Sequence, residues 1–233
     1  MSLSSFTLFA LTMVVVSLCL VLGKVLSYYN VISTVTSRKM VHILTGTFQI
    51  VFWAYYPDEP YARVYGALGC FIFAIVFMLF GFGIVKGMLS RFMVDSVCRE
   101  KDAHEMLYGP LNYCLIISSF SLMFWKNYPP AISAIVIMLM GDGMAEIIGK
   151  KCGKRQLKNP WGNEKSVEGT VSVTLFGGIG AMAMCFLIYG NMYFMYNCLF
   201  GIVGALVEFY SYPNYDNVFI PISIVMVGFC IFN

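Results

Sequence analysis

Two carboxylates, Asp142 and Glu146, stand four residues apart at the end of an apolar run, Ala131 to Met140. On a helix Asp142, Ala145, Glu146 and Gly149 fall at i, i+3, i+4 and i+7, which is one face. That face carries two acids and two tiny side chains, so a bulky cationic or cation-bridged group could approach it. An ionisable residue in or at the edge of a membrane span marks a functional site by default, because desolvating it is expensive. Just beyond come Lys150, Lys151, Lys154, Arg155, Lys158 and Lys165, six of the fifteen Lys/Arg residues. Acids for a metal beside bases for phosphates is the division of labour that phosphoryl transfer needs.

Other polar groups attend this cluster. On a helix Arg38, His42, Thr45 and Gln49 form a polar stripe; Arg38 and Lys39 could also be snorkelling cations at a membrane edge, with His42 satisfied in a bundle. Glu105 stands out in the charged segment Arg99 to Glu105, which otherwise reads as a solvated interfacial helix broken by Gly109-Pro110. Lys165 and Ser166 lie just ahead of a helix start, where a cation, a hydroxyl and free amides can meet a phosphate; Ser166 is equally a plain N-cap. Glu208, Asp216 and Asn217 carry no compensating base in their own loop, so partners or a metal must come from elsewhere. There is no G-x-x-x-x-G-K-[ST] loop, no protein-kinase motif set and no H-E-x-x-H. A bound nucleotide is therefore held by something other than a P-loop.

The elements that must position these residues are membrane spans. Of 233 residues 59% are hydrophobic and 12% charged, far from soluble composition. Eight apolar stretches run about 5–25, 40–56, 64–85, 111–125, 130–148, 171–189, 193–209 and 218–232; the fourth and eighth are short for a span, so seven or eight crossings are expected. The first has no basic residue before it and Lys24 after it, which reads as an uncleaved signal anchor with the N-terminus outside. With that orientation thirteen of the fifteen basic residues lie on the inner side and only Arg63 and Lys126 outside, as the positive-inside rule demands. The eight cysteines show no CxxC pair; Cys98 and Cys152, in polar segments, are the two open to a ligand role. Gly177/Ala181 and Gly201/Ala205 are small-xxx-small pairs, expected to pack the sixth and seventh spans together. The expected fold is an all-α polytopic transmembrane helical bundle with a cytoplasmic catalytic face. The net charge of +3 is too modest to inform on nucleic acid, and no nucleic-acid partner is expected.

Five blocks in order resemble the membrane-bound prenol kinases, the phytol and farnesol kinases that belong with dolichol kinase and CTP-dependent diacylglycerol kinase. They are Arg38-Lys39-x-x-His42-x-x-x-Gly46; Glu105-x-Leu107-x-Gly109-Pro110-Leu111-x-Tyr113; Gly141-Asp142-Gly143-Met144-Ala145-Glu146-x-x-Gly149; Lys165-Ser166-x-x-Gly169; and Ala205-Leu206-Val207-Glu208 with Asp216-Asn217. The resemblance implies one integral-membrane kinase domain over 1–233, with an anchor span and loop at 1–36 and the core at 37–221. It implies phosphoryl transfer, from CTP with Mg2+ or another divalent metal, to the hydroxyl of an isoprenoid alcohol that keeps its chain in the bilayer. Asp142 and Glu146 would then position the metal; Arg38, Lys39, Lys150, Lys154, Lys165 and Ser166 would hold the nucleotide; His42, Asp142 and Glu105 are the candidate bases. Glu168 departs toward the dolichol and diacylglycerol kinase pattern. The alternatives are accordingly those two kinases, a CDP-lipid cytidylyltransferase or, in another class, a non-enzymatic carrier. The carrier would place its charges at the midplane between broken helices, whereas here they gather at one surface. The expected location is the endoplasmic reticulum membrane, with a lumenal N-terminus.

The basic split predicts that the Lys150–Lys165 loop and the Asp58–Arg63 turn lie on opposite sides of the membrane, the first cytoplasmic. A Lys158→Cys variant in sealed, oriented microsomes should react with an impermeant thiol reagent from the cytoplasmic side; reaction only from the lumen would overturn the topology.

Overall fold

A computed structural model describes residues 3–232 of the chain. They form nine helices and one small hairpin, in two compact units that divide between Trp125 and Lys126.

The first unit holds α1 (Ser5–Tyr28), α2 (Thr34–Tyr55), α3 (Ala62–Gly81), the short α4 (Met88–Val97) and α5 (Gly109–Met123). A 3-10 turn, Ala103–Leu107, leads into α5. Ser4 and Ser33 cap α1 and α2 by accepting from Thr7 and Thr36 amides at 3.2 Å each, which satisfies donors a helix start would otherwise leave without a partner. Small residues let the helices approach. Gly23 of α1 lies against Ser37 and Val41 of α2, and the Ser37 hydroxyl donates to the Gly23 carbonyl at 2.6 Å. Between α3 and α5, Ser118 and Ser121 hydroxyls donate to the Ala67 and Arg63 carbonyls. Such small polar contacts are what remains to bind helices when lipid is as apolar as their side chains.

The second unit holds α6 (Pro129–Cys152), strands β1 (Gln156–Lys158) and β2 (Glu164–Ser166), α7 (Val167–Tyr189), α8 (Phe194–Tyr210) and α9 (Asp216–Ile231). Helices α6 and α7 run unbroken through one wide π turn each, Ile137–Asp142 and Val173–Gly177. The strands pair antiparallel, with Gln156 opposite Ser166, Leu157 opposite Lys165 and Lys158 opposite Glu164.

Each of the eight apolar stretches lies on a helix of its own, and α1, α3, α6, α7 and the stretch Ala103–Met123 are long and apolar enough to cross a membrane. Helices α8 and α9 are apolar but shorter, at 17 and 16 residues. The ninth helix, α4, is amphipathic, burying Ser90, Met93 and Val94 while Arg91 and Asp95 stay exposed. The fold is all-α and membrane-type.

One packing expectation is corrected. Gly177 does not face α8; a Cβ there would sit 3.3 Å from the Ile137 Cα and 3.4 Å from the Gly141 Cα, both on α6. The contact with α8 falls one residue on, where Gly201 lies against Thr174 and Gly178. Successive helical residues point about 100° apart, so adjacent glycines serve two neighbours. A methyl on Gly201 would meet the Thr174 carbonyl oxygen at 2.9 Å, a backbone atom with no room to yield, whereas one on Gly178 would meet nothing nearer than 3.4 Å. Gly201→Ala should therefore cost about 1–3 kcal/mol from overpacking, while Gly178→Ala should be near neutral. Equilibrium unfolding in detergent micelles checks this, and equal losses would contradict the assigned face.

Candidate active site

In the second unit, α6 and α7 cross on a ladder of small residues. Gly177 meets Ile137 and Gly141; Gly141 meets Val173, whose Cγ1 would be 2.9 Å from a Cβ there; Gly169 meets the Ala145 carbonyl and Gly149. The space that Ala145 and Gly149 leave beside the two acids is thus filled by the first turn of α7, not left open to an incoming group. Asp142 ends the π turn of α6 and is buried, 4% exposed. Glu146, one turn on, receives Lys150 Nζ at 2.9 Å, with Lys150 itself exposed. A π turn inserts an extra residue and re-aims the side chains beyond it, and such turns favour functional sites.

The loop expected after α6 is instead a β-hairpin. Asn159 turns it, its Oδ1 accepting from the Trp161 and Asn163 amides at 3.1 and 2.9 Å, and Gly162 takes φ +83°. Lys165 reaches from β2 to the last turn of α8, donating to Glu208 Oε1 at 2.6 Å and also to the Glu208 carbonyl. Glu208 is buried and half-buried Lys165 is its cation, so the partner it lacked in its own loop comes from the hairpin. The Ser166 hydroxyl caps α7 by accepting from the Gly169 amide at 3.0 Å. The Val167 amide is taken by the Arg155 carbonyl. The start of α7 is therefore occupied by its own cap. Glu168 accepts from the Lys154 amide at 3.1 Å and the Arg155 amide at 3.4 Å, pinning the chain as it enters the hairpin. The side chains of Lys154, Arg155 and Lys158 are exposed. Asp216 caps the Asn217 amide at 2.9 Å at the start of α9, and Asn217 is buried.

In the first unit Arg38, His42, Thr45 and Gln49 all lie on α2, and contacts gather at the last three. The Tyr113 hydroxyl donates to the His42 carbonyl at 3.0 Å and meets the Thr45 hydroxyl at 3.1 Å, with the His42 and Tyr113 rings 4.7 Å apart. Gln49 donates to the Gly66 carbonyl at 2.6 Å. Lys39 is buried and Arg38 half-buried. The Glu105 carboxylate accepts the Arg99 and Glu100 amides, the latter at 3.0 Å, and so closes the loop between α4 and the 3-10 turn. Beside it Cys98 is buried, and burial first, then the nearby Glu105 and Asp102 carboxylates, push its thiol up to about 12. A thiol so protonated is a poor metal ligand, because the thiolate is the ligand form.

Among the described residues no group of three or more His, Cys, Asp and Glu side chains converges in a way that could hold a metal ion. Mg2+ does not require one, since it keeps several waters and takes one or two carboxylates plus substrate phosphates. Asp142 and Glu146, all-oxygen donors one turn apart, fit that chemistry.

The roles of Tyr113, Glu168 and the hairpin did not emerge from spacing alone. Asn159-Pro160-Trp161-Gly162-Asn163 was the available signal, because Asn and Gly are the residues such turns select.

Similarity to known proteins supplies the family. No family model matches the chain and no solved structure matches it. Probable phytol kinase 2 of Oryza sativa subsp. japonica is 31% identical over 84% of this chain and 66% of its own length. Phytol kinase 1 of Arabidopsis thaliana is 27% identical over 87% of the chain and 68% of its own length. Farnesol kinase of the same plant is 27% identical over 99% and 76%. The chain thus spans about two thirds to three quarters of the length of these relatives, and their names place them in the chloroplast, not the endoplasmic reticulum. With five motif blocks on a helical membrane scaffold and relatives of this kind along nearly its whole length, the chain belongs to the membrane-bound prenol kinase family, a family of lipid-alcohol kinases.

Proposed function

We propose that the protein transfers the terminal phosphoryl group of a nucleoside triphosphate, CTP by the family resemblance, to the hydroxyl of an isoprenoid alcohol of the phytol or farnesol type. The observation that supports it best is Asp142: a carboxylate buried at the end of a span, on a re-aimed turn, with a hairpin of cations attached to the same helix. An ionisable residue at the edge of a span marks a functional site by default.

Phosphoryl transfer asks a protein for positioning and charge stabilisation more than for covalent chemistry. Asp142 and Glu146 would hold a divalent cation, which when bound offsets phosphate charge. Lys150 and Lys154 would orient the nucleotide phosphates from the water side, and Lys165, engaged by Glu208, would act by holding the hairpin in place. The alcohol oxygen attacks the terminal phosphorus, the bond from that phosphorus to the bridging oxygen breaks, the nucleoside diphosphate leaves, and the alcohol's proton passes to water. Glu105 is a weak choice of base because its carboxylate already closes a loop. Asp142 is the group we place nearest the reacting oxygen. The isoprenoid chain stays among apolar helices, where leaving lipid would cost about 0.8 kcal/mol per CH2. The endoplasmic reticulum finds no counterpart among the chloroplastic relatives, so the proposal is confined to an integral membrane enzyme with its chemistry on the basic face.

Asp142→Asn should abolish turnover while leaving insertion and unfolding temperature unchanged. The loss is several kcal/mol of transition-state stabilisation, on the order of a thousandfold in kcat. Activity within a few-fold of the parent protein would move the role to Glu146, Glu208 or Asp216.

Lys154→Ala should raise the apparent KM for nucleotide several-fold with little change for the alcohol. Lys165→Ala should do the same and also lower the unfolding temperature, because it strips the cation from buried Glu208. That loss is roughly 2 kcal/mol, between exposed and buried pairs. Kinetics varying one substrate at a time decide the matter: a shift confined to the alcohol's KM would assign the hairpin to the alcohol substrate and not to the nucleotide.

A further inference from the structure

The second unit carries aromatic rims at both ends of its helices. At the end away from Asp142, Tyr128, Tyr189, Tyr193, Tyr196, Phe229 and Phe232 form one connected cluster, with ring separations of 5.0 to 6.1 Å. At the Asp142 end, Trp161 meets Tyr212 at 5.1 Å, Tyr212 meets Tyr215 at 6.0 Å, and Tyr215 meets Phe219 at 6.3 Å. Trp and Tyr collect at membrane–water boundaries because their rings are apolar and their tips polar. Helix α8 runs from one rim to the other. Its 17 residues span about 25 Å, close to the roughly 30 Å of a hydrocarbon core.

One member of the second rim comes from neither α8, α9 nor their junction. Trp161 stands at the tip of the hairpin, 54% exposed, with its indole N–H donating to the Tyr210 carbonyl at 2.9 Å. That bond ties the tip to the last residue of α8. Tyr210 and Tyr212 are exposed beside it, and Leu157 and the cations Lys154, Arg155 and Lys158 are exposed on the same segment of chain. An exposed apolar and aromatic surface, bordered by cations and held at the end of a span, matches the boundary between acyl chains and phosphate headgroups in depth, polarity and charge.

We propose that the hairpin tip is a membrane-interface anchor, with Trp161 seated at the headgroup–acyl boundary and Arg155 and Lys158 on lipid phosphates. The hairpin tip rests on the leaflet and does not project into water. Asp142 is about 20 Å along α6 from the opposite rim, so the anchored tip also sets the depth at which that carboxylate meets the bilayer edge. This assignment is independent of which substrates the enzyme uses.

The test is the fluorescence difference between the parent protein and Trp161→Phe, reconstituted in vesicles of phosphatidylcholine and phosphatidylglycerol. The lipids carry bromine either near the headgroup or near the chain end. The Trp161 component should be quenched at least twice as strongly by the shallow bromine as by the deep one, and be shielded from aqueous acrylamide. Quenching by acrylamide with none by bromolipid would put the tip in water and overturn the anchor. Loss of acrylamide quenching only on adding CTP would make the indole a nucleobase platform, which equally overturns it. If Trp161→Phe fails to fold, Tyr212→Trp gives the same readout as a gain of shallow quenching at the same rim; no gain sinks the proposal.

Discussion

Everything on the Asp142 side of the second unit depends on how closely α6 and α7 approach. Lipid offers helices little reason to associate, because its tails are as apolar as their side chains. What remains is van der Waals contact, and glycine maximises it by removing the Cβ. Gly141, Ala145 and Gly149 repeat every four residues on α6, and Gly169 and Gly177 answer them on α7. The closeness is backbone on backbone, as shown by the 3.4 Å that would separate a Gly177 Cβ from the Gly141 Cα. Both π turns lie within this ladder, so the packing that joins the helices also supports their departure from regular geometry. Asp142 follows Gly141 directly and is buried.

A second dependence runs through charge. Glu208 is buried near the end of α8, and a lone carboxylate there would be expensive. Its cation arrives from β2, across the hairpin, as Lys165. The pair ties three pieces of chain together: the end of α8, the hairpin, and through Ser166 the start of α7. Glu168 works in the same direction by holding the Lys154 and Arg155 amides. The basic loop is thus not a loose tether of cations. Its backbone is fixed at both ends, and only the outward lysines and arginine are left to face solutes or lipid.

How much of this was legible depended on the length scale of the signal. Spans announce themselves by long runs of apolar side chains, and each of the eight stretches lies on a helix. Amphipathic α4 was invisible to that criterion, because ten residues with Arg91 and Asp95 outward have no such run. The stripe Arg38, His42, Thr45, Gln49 was readable because helical periodicity determines which residues share a face. Its partners were not, since Tyr113 and Gly66 are distant in sequence. The acids and bases of 142–165 could be picked by type, but the hairpin that orders them rests on three-residue strands, too short for any alternation to show. The π turns left no trace at all. Their cause is tertiary, two helices meshing at glycines, and no local propensity distinguishes them from ordinary helix.

The face assignment of Gly177 illustrates the limit in one residue. A small-xxx-small pair states that a close approach exists but not to which neighbour. Gly177 and Gly178 are equally small, and their directions differ by about 100°. One therefore serves α6 and the other α8. Choosing between them requires the rotational setting of α7, which the π turn at Val173–Gly177 shifts partway along the helix. A regular helix drawn from the start of α7 carries the wrong phase past that turn, so every face read beyond it is displaced. The same holds on α6, where Asp142 closes the π turn and Glu146 lies in the regular helix after it. The two acids keep their i, i+4 relation because both lie at or beyond the displaced turn, whereas their relation to the residues before Ile137 could be read only from the folded chain.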